Sequence, residues 1–249
     1  MNREEILNAT EAILKTAGFQ ISERCNARPS CFCLAARDGD NPTFIRVPPD
    51  LRNIALRDAL ELRTISSFFS AASLLVCDHT REKPLEDDTV YTRYDIYAIT
   101  PKTLKDVILQ ETSPLIEAGP GGYYVRLDGE AIRNRRQELG LSVGKLAERL
   151  RVSRRTLYGY ERGMAKASVS AAYNLEWILG IPVVKPIDIL RPAPSSPGIL
   201  ASAKRMIVRN RFLQTVLKKF IHCRFKVAPT TRAPFDFIAQ CPKSHINII

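Results

Sequence analysis

The stretch Leu141-Ser142-Val143-Gly144-Lys145-Leu146-Ala147-Glu148-Arg149-Leu150-Arg151-Val152-Ser153-Arg154-Arg155-Thr156-Leu157-Tyr158-Gly159-Tyr160-Glu161-Arg162-Gly163 decides how this chain folds, because it carries the start and stop signals of two short helices. Ser142 and Ser153 stand where each helix needs a side-chain oxygen to cap its free N–H groups, and Gly163 supplies the left-handed residue that stops the second helix. Leu146, Leu150, Val152 and Leu157 are spaced to meet in the angle between the helices, and Ala147 is small enough to let the backbones approach. Arg154, Arg155, Tyr158 and Arg162 are left facing outward.

Working outward, Asp128 to Leu139 predicts a preceding helix with Ile132, Arg136 and Leu139 inward, and Ser168 opens a following one that carries Ala172, Leu175 and Leu179. The set resembles the Cro and phage-repressor type of helix-turn-helix domain, an all-α unit. In that type an arginine of the first helix pairs with a glutamate ending the recognition helix, and the matching positions here hold Arg136 and Glu161. The resemblance implies that the helix from Ser153 to Arg162 enters the major groove of double-stranded DNA. Arg154 and Arg155, at its first turn, are the expected base readers, since arginine donates two hydrogen bonds to guanine O6 and N7. Ser153 and Thr156 belong to the same expected contact set. Tyr158 and Arg162 would touch backbone or a thymine methyl, and Lys145, Arg149 and Lys166 would pair with phosphates. Gly159 has no side chain to read with, and Arg151 is read as a solvated residue.

The bulk properties agree with a nucleic-acid partner. With 249 residues, 45% of them hydrophobic, the chain can bury more than one core. Its formal charge of +11 is unevenly placed: residues 1–127 hold 15 Lys/Arg against 18 Asp/Glu, residues 128–192 hold 12 against 7, and residues 193–249 hold 10 against 1. A basic second half suits a polyanion bound through counterion release. No signal-peptide pattern and no membrane-spanning run of about 20 apolar residues is visible, so a cytoplasmic protein without membrane contact is expected. The six cysteines are expected to stay reduced, with Cys31 and Cys33 on one strand face. His222, Cys223, Cys241 and His245 lack the paired spacing of a zinc ribbon, so neither a metal nor a cofactor is expected.

In the first 127 residues, Ile6, Ile13 and Leu14 mark a helix stopped at Gly18. Phe19 to Ser22, Phe32 to Ala36 and Thr43 to Val47 read as strands. Asp50 is then expected to cap a long helix with the apolar stripe Leu51, Ile54, Ala55, Ala59, Leu62 and Ile65, followed by a buried strand from Ser73 to Cys77. The order αβββαβ resembles the PD-(D/E)XK nuclease and Holliday-junction resolvase core, whose metal is held by an aspartate on the second strand and an acid-x-lysine on the third. On this register Cys33, Phe44 and Arg46 take those positions, so the resemblance carries the fold without its hard-cation ligands. Tyr91, Arg93 and Tyr94 could stack on bases but are read as packing against a sheet. Gly119-Pro120-Gly121-Gly122 reads as a linker or hairpin turn before a strand at Tyr123 to Arg126.

Arg191 to Gly198 has the composition of a linker. Beyond it, a helix ending at Phe220-Ile221 and segments at Arg224 to Val227 and Arg232 to Ala239 echo the opening of the chain as an incomplete copy, expected to pack against another element or another subunit. The whole arrangement resembles archaeal helix-turn-helix transcriptional regulators. The expected fold is therefore α+β and multidomain: a nuclease-like α/β unit over 1–127, a helix-turn-helix unit over 128–190, a linker over 191–198 and a basic α/β segment over 199–249. The expected function is sequence-specific, non-enzymatic transcription regulation by a homodimer. The alternatives are a metal-dependent nuclease, or an adaptor bound to the transcription machinery.

Overall fold

The computed structural model describes residues 1–26, 29–81, 83–192, 211–241 and 247–248. Residues 193–210, which include most of the expected linker and the start of the basic segment, lie outside them, as does His245.

The first unit follows the αβββαβ order. Helix α1 (Arg3–Thr16) opens on a capping box in which Asn2 and Glu5 each accept the other's backbone N–H. Strands β1 (Gln20–Ile21), β2 (Leu34–Asp38) and β3 (Asn41–Arg46) form an antiparallel meander; α2 (Leu56–Phe68) crosses over, and β4 (Ala72–Val76) runs parallel to β3. Asp50 does not cap α2. It caps a separate 3-10 turn at Leu51–Asn53, accepting from the N–H groups of Arg52 and Arg81, and the extended backbone of Ile54 then interrupts the helical path. Ala55 consequently sits exposed at the uncapped start of α2 instead of in its apolar stripe.

Cys31 and Cys33 also depart from expectation, because the chain bends ahead of β2 and is not yet a strand there. Cys31 packs under α2, whereas Cys33 joins the opposite core, where its Sγ accepts from the Val47 N–H and from the Arg3 guanidinium. Burial pushes the Cys77 thiol up to about 12, and the Cys31 thiol also well up, so both stay protonated at neutral pH.

The sheet continues through elements that sequence patterning only half resolves. After a short ribbon of β5 (His79–Thr80) and β6 (Lys83–Pro84) come β7 (Thr89–Arg93) and β8 (Ile96–Ile99), joined by a two-residue turn at Tyr94-Asp95 with φ of 51° and 59°. Helix α3 (Pro101–Gln110) is capped by Thr100 with proline in its first turn. Next, β9 (Ile116–Gly119) and β10 (Gly122–Leu127) form a hairpin whose turn needs the positive φ of Gly121. The helical unit comprises α4 (Gly129–Glu138), α5 (Val143–Arg149), α6 (Arg154–Glu161) and α7 (Val169–Leu179), with β11 (Ala167–Ser168) and β12 (Val184–Lys185) both paired to β10. The ladder is thus continuous in the order β1-β2-β3-β4-β8-β7-β9-β10-β11, with β12 also on β10.

The two units exchange chain across the sequence boundary expected at residue 127. Val125 and Leu127 of β10 belong to the core of the helical unit, beside Ile132, Leu146, Leu157 and Leu175. In return Ile187 and Ile189, which follow β12, are buried with Ile6, Leu7, Leu14 and Leu104 on the α1/α3 side of the sheet.

The other side is completed by the C-terminal segment, helix α8 (Arg211–His222) with β13 (Lys226–Pro229), β14 (Phe237–Gln240) and β15 (Asn247–Ile248). Its α-β-β order repeats the opening of the chain, and it packs on another element: Ala228, Ala233 and Ile238 share a core with Ala59, Leu62 and Phe68 of α2. Glu61 of α2, itself buried, accepts from Thr231 N–H (2.6 Å), Thr231 Oγ1 (2.9 Å) and Arg232 N–H (2.5 Å), while the Cys31 N–H donates back to the Arg232 carbonyl. Glu61→Ala leaves these donors without an acceptor. We expect a loss of about 1–3 kcal/mol and faster tryptic cleavage after Arg224 and Arg232; unchanged melting and cleavage would show that the hairpin is held elsewhere.

Candidate nucleic-acid interface

Each helix of the central pair ends as its sequence dictates. Ser142 Oγ accepts from Lys145 N–H and Ser153 Oγ from Thr156 N–H. Both C-termini close with paired 6→1 and 5→2 bonds: Val152 to Ala147 and Arg151 to Glu148 after α5, Met164 to Gly159 and Gly163 to Tyr160 after α6. The left-handed residue is Gly163 (φ 65°) in one case and Arg151 (φ 56°) in the other. Arg151 is thus a solvated side chain on a backbone that glycine would adopt at lower cost. Leu146, Ala147, Leu150 and Leu157 form the angle between the helices, with Val152 partly buried at its edge.

The orientation of α6 is fixed by Arg136 of α4. Its Nε lies 2.5 Å from Glu161 Oε1 and its Nη2 3.1 Å from Oε2, while Nη1 donates to the Leu141 carbonyl; the two side chains are 10% and 7% exposed. The Glu161 carboxylate holds the guanidinium's pKa above its ordinary value. A carboxylate at a helix C-terminus faces the negative end of the dipole, and the bidentate arginine offsets that. Leu139 does not join this interface. It is 42% exposed, because α4 ends at Glu138 and the chain turns, leaving Leu141 to pack against the core edge instead.

Gly129 is a second requirement, one that the sequence alone left unmarked. A Cβ there would lie 2.4 Å from the Glu161 carbonyl oxygen and 2.6 Å from that of Tyr160, so the start of α4 rests directly on the end of α6. The only clue was a glycine directly after the Asp128 cap, where a better helix former would be favoured. Asp128 accepts from the Ala131 N–H and pairs with Lys185 across 3.1 Å. The backbone bond first, then the lysine, hold its carboxyl below the ordinary carboxylate value.

Arg154, Arg155, Tyr158 and Arg162 are exposed along α6, and Lys145 and Arg149 are exposed on α5. They are not equivalent. The Arg154 guanidinium lies across the first turn of α5, where a Cβ on Gly144 would meet its Nε at 3.1 Å; the Arg162 guanidinium stacks on the Tyr158 ring at 4.7 Å. The hydroxyls of Ser153 and Thr156 are occupied with capping and with each other at 2.8 Å. Lys166 is drawn away from α6: its Nζ lies 2.6 Å from Glu117 Oε1 on β9. Glu117, only 8% exposed, also takes Arg126 Nη2 at 3.2 Å, and that nitrogen in turn donates to Tyr97 OH at 2.6 Å. Burial opposes the charge on Arg126, but its bonds to Tyr97 and Glu117 outweigh that and hold its pKa above the ordinary value.

In the first unit, the aromatic suspects serve the sheet. Arg93 lies over the Tyr94 ring at 4.3 Å and donates to its hydroxyl, and Arg63 bonds both the Tyr94 carbonyl and Asp95, so these groups hold a left-handed turn. The positions that the expected register assigns to a metal centre hold other contacts. Phe44 packs between Phe32 and Phe69, Cys33 takes the Val47 N–H, and Arg46 donates to the Ser30 carbonyl.

The sequence profile of the PD-(D/E)XK superfamily domain matches residues 3–114, and that of the helix-turn-helix domain matches residues 132–185. A protein of Methanocella arvoryzae named "Putative HTH-type transcriptional regulatory protein" is 36% identical over 247 residues, covering 96% of this chain and 74% of its own length. The chain belongs to this archaeal family. Members of the same name from Methanosarcina acetivorans (32% identical, 99% of this chain and 77% of that protein) and Haloarcula marismortui (30%, 100% and 77%) span both units as well. No solved structure matches the chain. Among the described residues, no helix is long and apolar enough to cross a membrane.

Two measurements test this geometry. Arg136→Ala strands a buried carboxylate and is expected to cost about 3 kcal/mol of stability, and Gly129→Ala, which must push two backbones apart, about 1–3 kcal/mol; Arg155→Ala should leave the melt unmoved. Because Asp128 titrates lower folded than unfolded, its contribution is complete above the unfolded carboxylate value of about 3.9 and is lost as pH falls through the folded value. Asp128→Asn should therefore flatten the acid side of the stability profile; a profile parallel to that of the unaltered protein would refute this.

Proposed function

We propose that the protein is a sequence-specific DNA-binding transcription regulator that presents α6 to the major groove of double-stranded DNA. The observation that carries this reading is a capped, eight-residue helix whose seat is fixed by Arg136 and Glu161 and whose first turn leaves two arginines on the outer face. Arg155 reaches bases directly. Arg154 must first lift from Gly144, which makes it the adjustable contact. Tyr158 and Arg162, stacked together, touch the backbone beside the groove, and Lys145 and Arg149 meet phosphates. Ser153 and Thr156 act mainly as the cap, offering DNA the N–H groups they orient. Lys166 can reach a phosphate only by leaving Glu117.

A homodimer is part of this reading, since two recognition helices on one duplex give the half-site symmetry such operators use. Tyr173 and Trp177, four residues apart on α7 and 66% and 80% exposed, support self-association. The α/β unit acts without catalysis: an arginine, a cysteine and a phenylalanine at the metal positions disfavour a divalent cation. Magnesium-dependent cleavage of duplex or branched DNA would instead establish the nuclease reading suggested by the superfamily match. The exposed cations Lys218, Lys219, Arg224 and Lys226 add phosphate contacts without sequence preference. The protein acts on DNA in the cytoplasm, with the transcription machinery as a further partner.

Arg154→Ala and Arg155→Ala are each expected to cost about 1–3 kcal/mol of discrimination between the preferred site and a scrambled one, with unchanged melting. Equal losses on both sites in a binding titration would make them phosphate contacts and overturn the register.

A further inference from the structure

We propose that the cleft between the loop leaving α6 and the face of the sheet is an effector site for a small anionic molecule, a carboxylate or phosphate on a compact body. The inference rests on the reading of α6 as the DNA-contacting helix. The cleft measures about 960 Å³, within the range of small-molecule sites. Thr92, Tyr97, Glu117 and Arg126 form its floor, the loop Gly163 to Lys166 its roof, and the segment from Lys185 to Pro192 its side. Both units therefore contribute walls.

The charges in it are unbalanced in a specific way. Its cations are Arg126, Lys166, Lys185 and Arg191, of which Lys185 is paired at 3.1 Å with Asp128, outside the cleft lining, and its carboxylates are Asp95, Glu117 and Asp188. Each carboxylate is already engaged: Asp95 by Arg63 at 2.8 Å, Asp188 by the Leu190 N–H at 3.0 Å, and Glu117 by Lys166 and Arg126. Arg191 is exposed and makes no ion pair among the described residues. Met164, Pro186 and Pro192 supply apolar wall for the ligand's body. Glu117 is thus the protein's own anion at the point where the two units meet, holding the loop that follows the recognition helix. A ligand anion reaching Lys166 and Arg126 competes with it and releases that loop, so ligand and DNA affinities are coupled, and by linkage the coupling runs both ways.

Calorimetric titration of the full chain without DNA, using AMP, citrate and inorganic phosphate as probes, tests the site independently of the DNA reading. At least one probe should bind with a Kd of about 1 mM or tighter. Arg191→Ala, at an exposed and unpaired position, should weaken that probe about tenfold and Arg191→Glu further, and Glu117→Gln, with its fold checked by circular dichroism, should tighten it. Absence of binding by all three probes, or binding indifferent to both Arg191 substitutions, would overturn the site. A saturating probe should then change affinity for the preferred DNA at least fivefold; binding of the probe with no such change would overturn the coupling while leaving DNA recognition intact.

Discussion

One strand, β10, holds the molecule together. Its backbone pairs with β9, β11 and β12, so the hydrogen-bond ladder of the α/β unit runs directly into the helical unit. Its side chains alternate with the pleat: Val125 and Leu127 enter the helical core, and Arg126 between them points the other way, to Tyr97 and Glu117. A slip of one residue would put the guanidinium into the apolar core and the two aliphatic side chains into the cleft, which fixes the register strongly. The return of Ile187 and Ile189 into the opposite core closes the exchange. Helix α6 therefore belongs to a unit that the sheet joins directly to the α/β unit.

The helical unit was legible in the sequence because its determinants are local. Ser142, Ser153, Ser168 and Gly163 act within three or four residues of themselves, and the Arg136–Glu161 pairing could be transferred from a motif. The order of the first unit was legible for the same reason, through periodicity and turn residues. What escaped depends on groups distant in sequence. The β7–β8 turn uses Tyr94 and Asp95 at positive φ, held by Arg63, where hairpin patterns lead one to look for Asn-Gly. Glu117 reads as an ordinary strand carboxylate until Lys166, 49 residues later, is brought to it. Gly129 reveals its need only when the end of α6 is set beside it, and the Cys31 N–H finds its acceptor in a carbonyl of Arg232, about 200 residues later.

The PD-(D/E)XK-like unit keeps the layers of its fold with residues other than carboxylates at the three positions that the expected register assigns to a cation. Layered packing asks only for apolar volume on both faces of the sheet, so α1, α2 and α3 remain in place whatever stands at the strand ends. At the positions where carboxylates would gather around a cation, this chain has a thiol held by a backbone N–H, an aromatic cluster and a guanidinium bound to a carbonyl.

The docking of the C-terminal hairpin on α2 also imposes an order in time. Ala228, Ala233 and Ile238 complete a core whose other described members end at Ala98, so about 130 residues separate the last early contributor from the first late one among the described residues. At the roughly 5–20 residues per second of protein synthesis, the first unit waits on the order of ten seconds on the ribosome with that face uncovered. The helical unit, whose described core residues fall within 116–184, can be finished first. Synthesis thus lets the helical unit be complete before the outer face of α2 is covered.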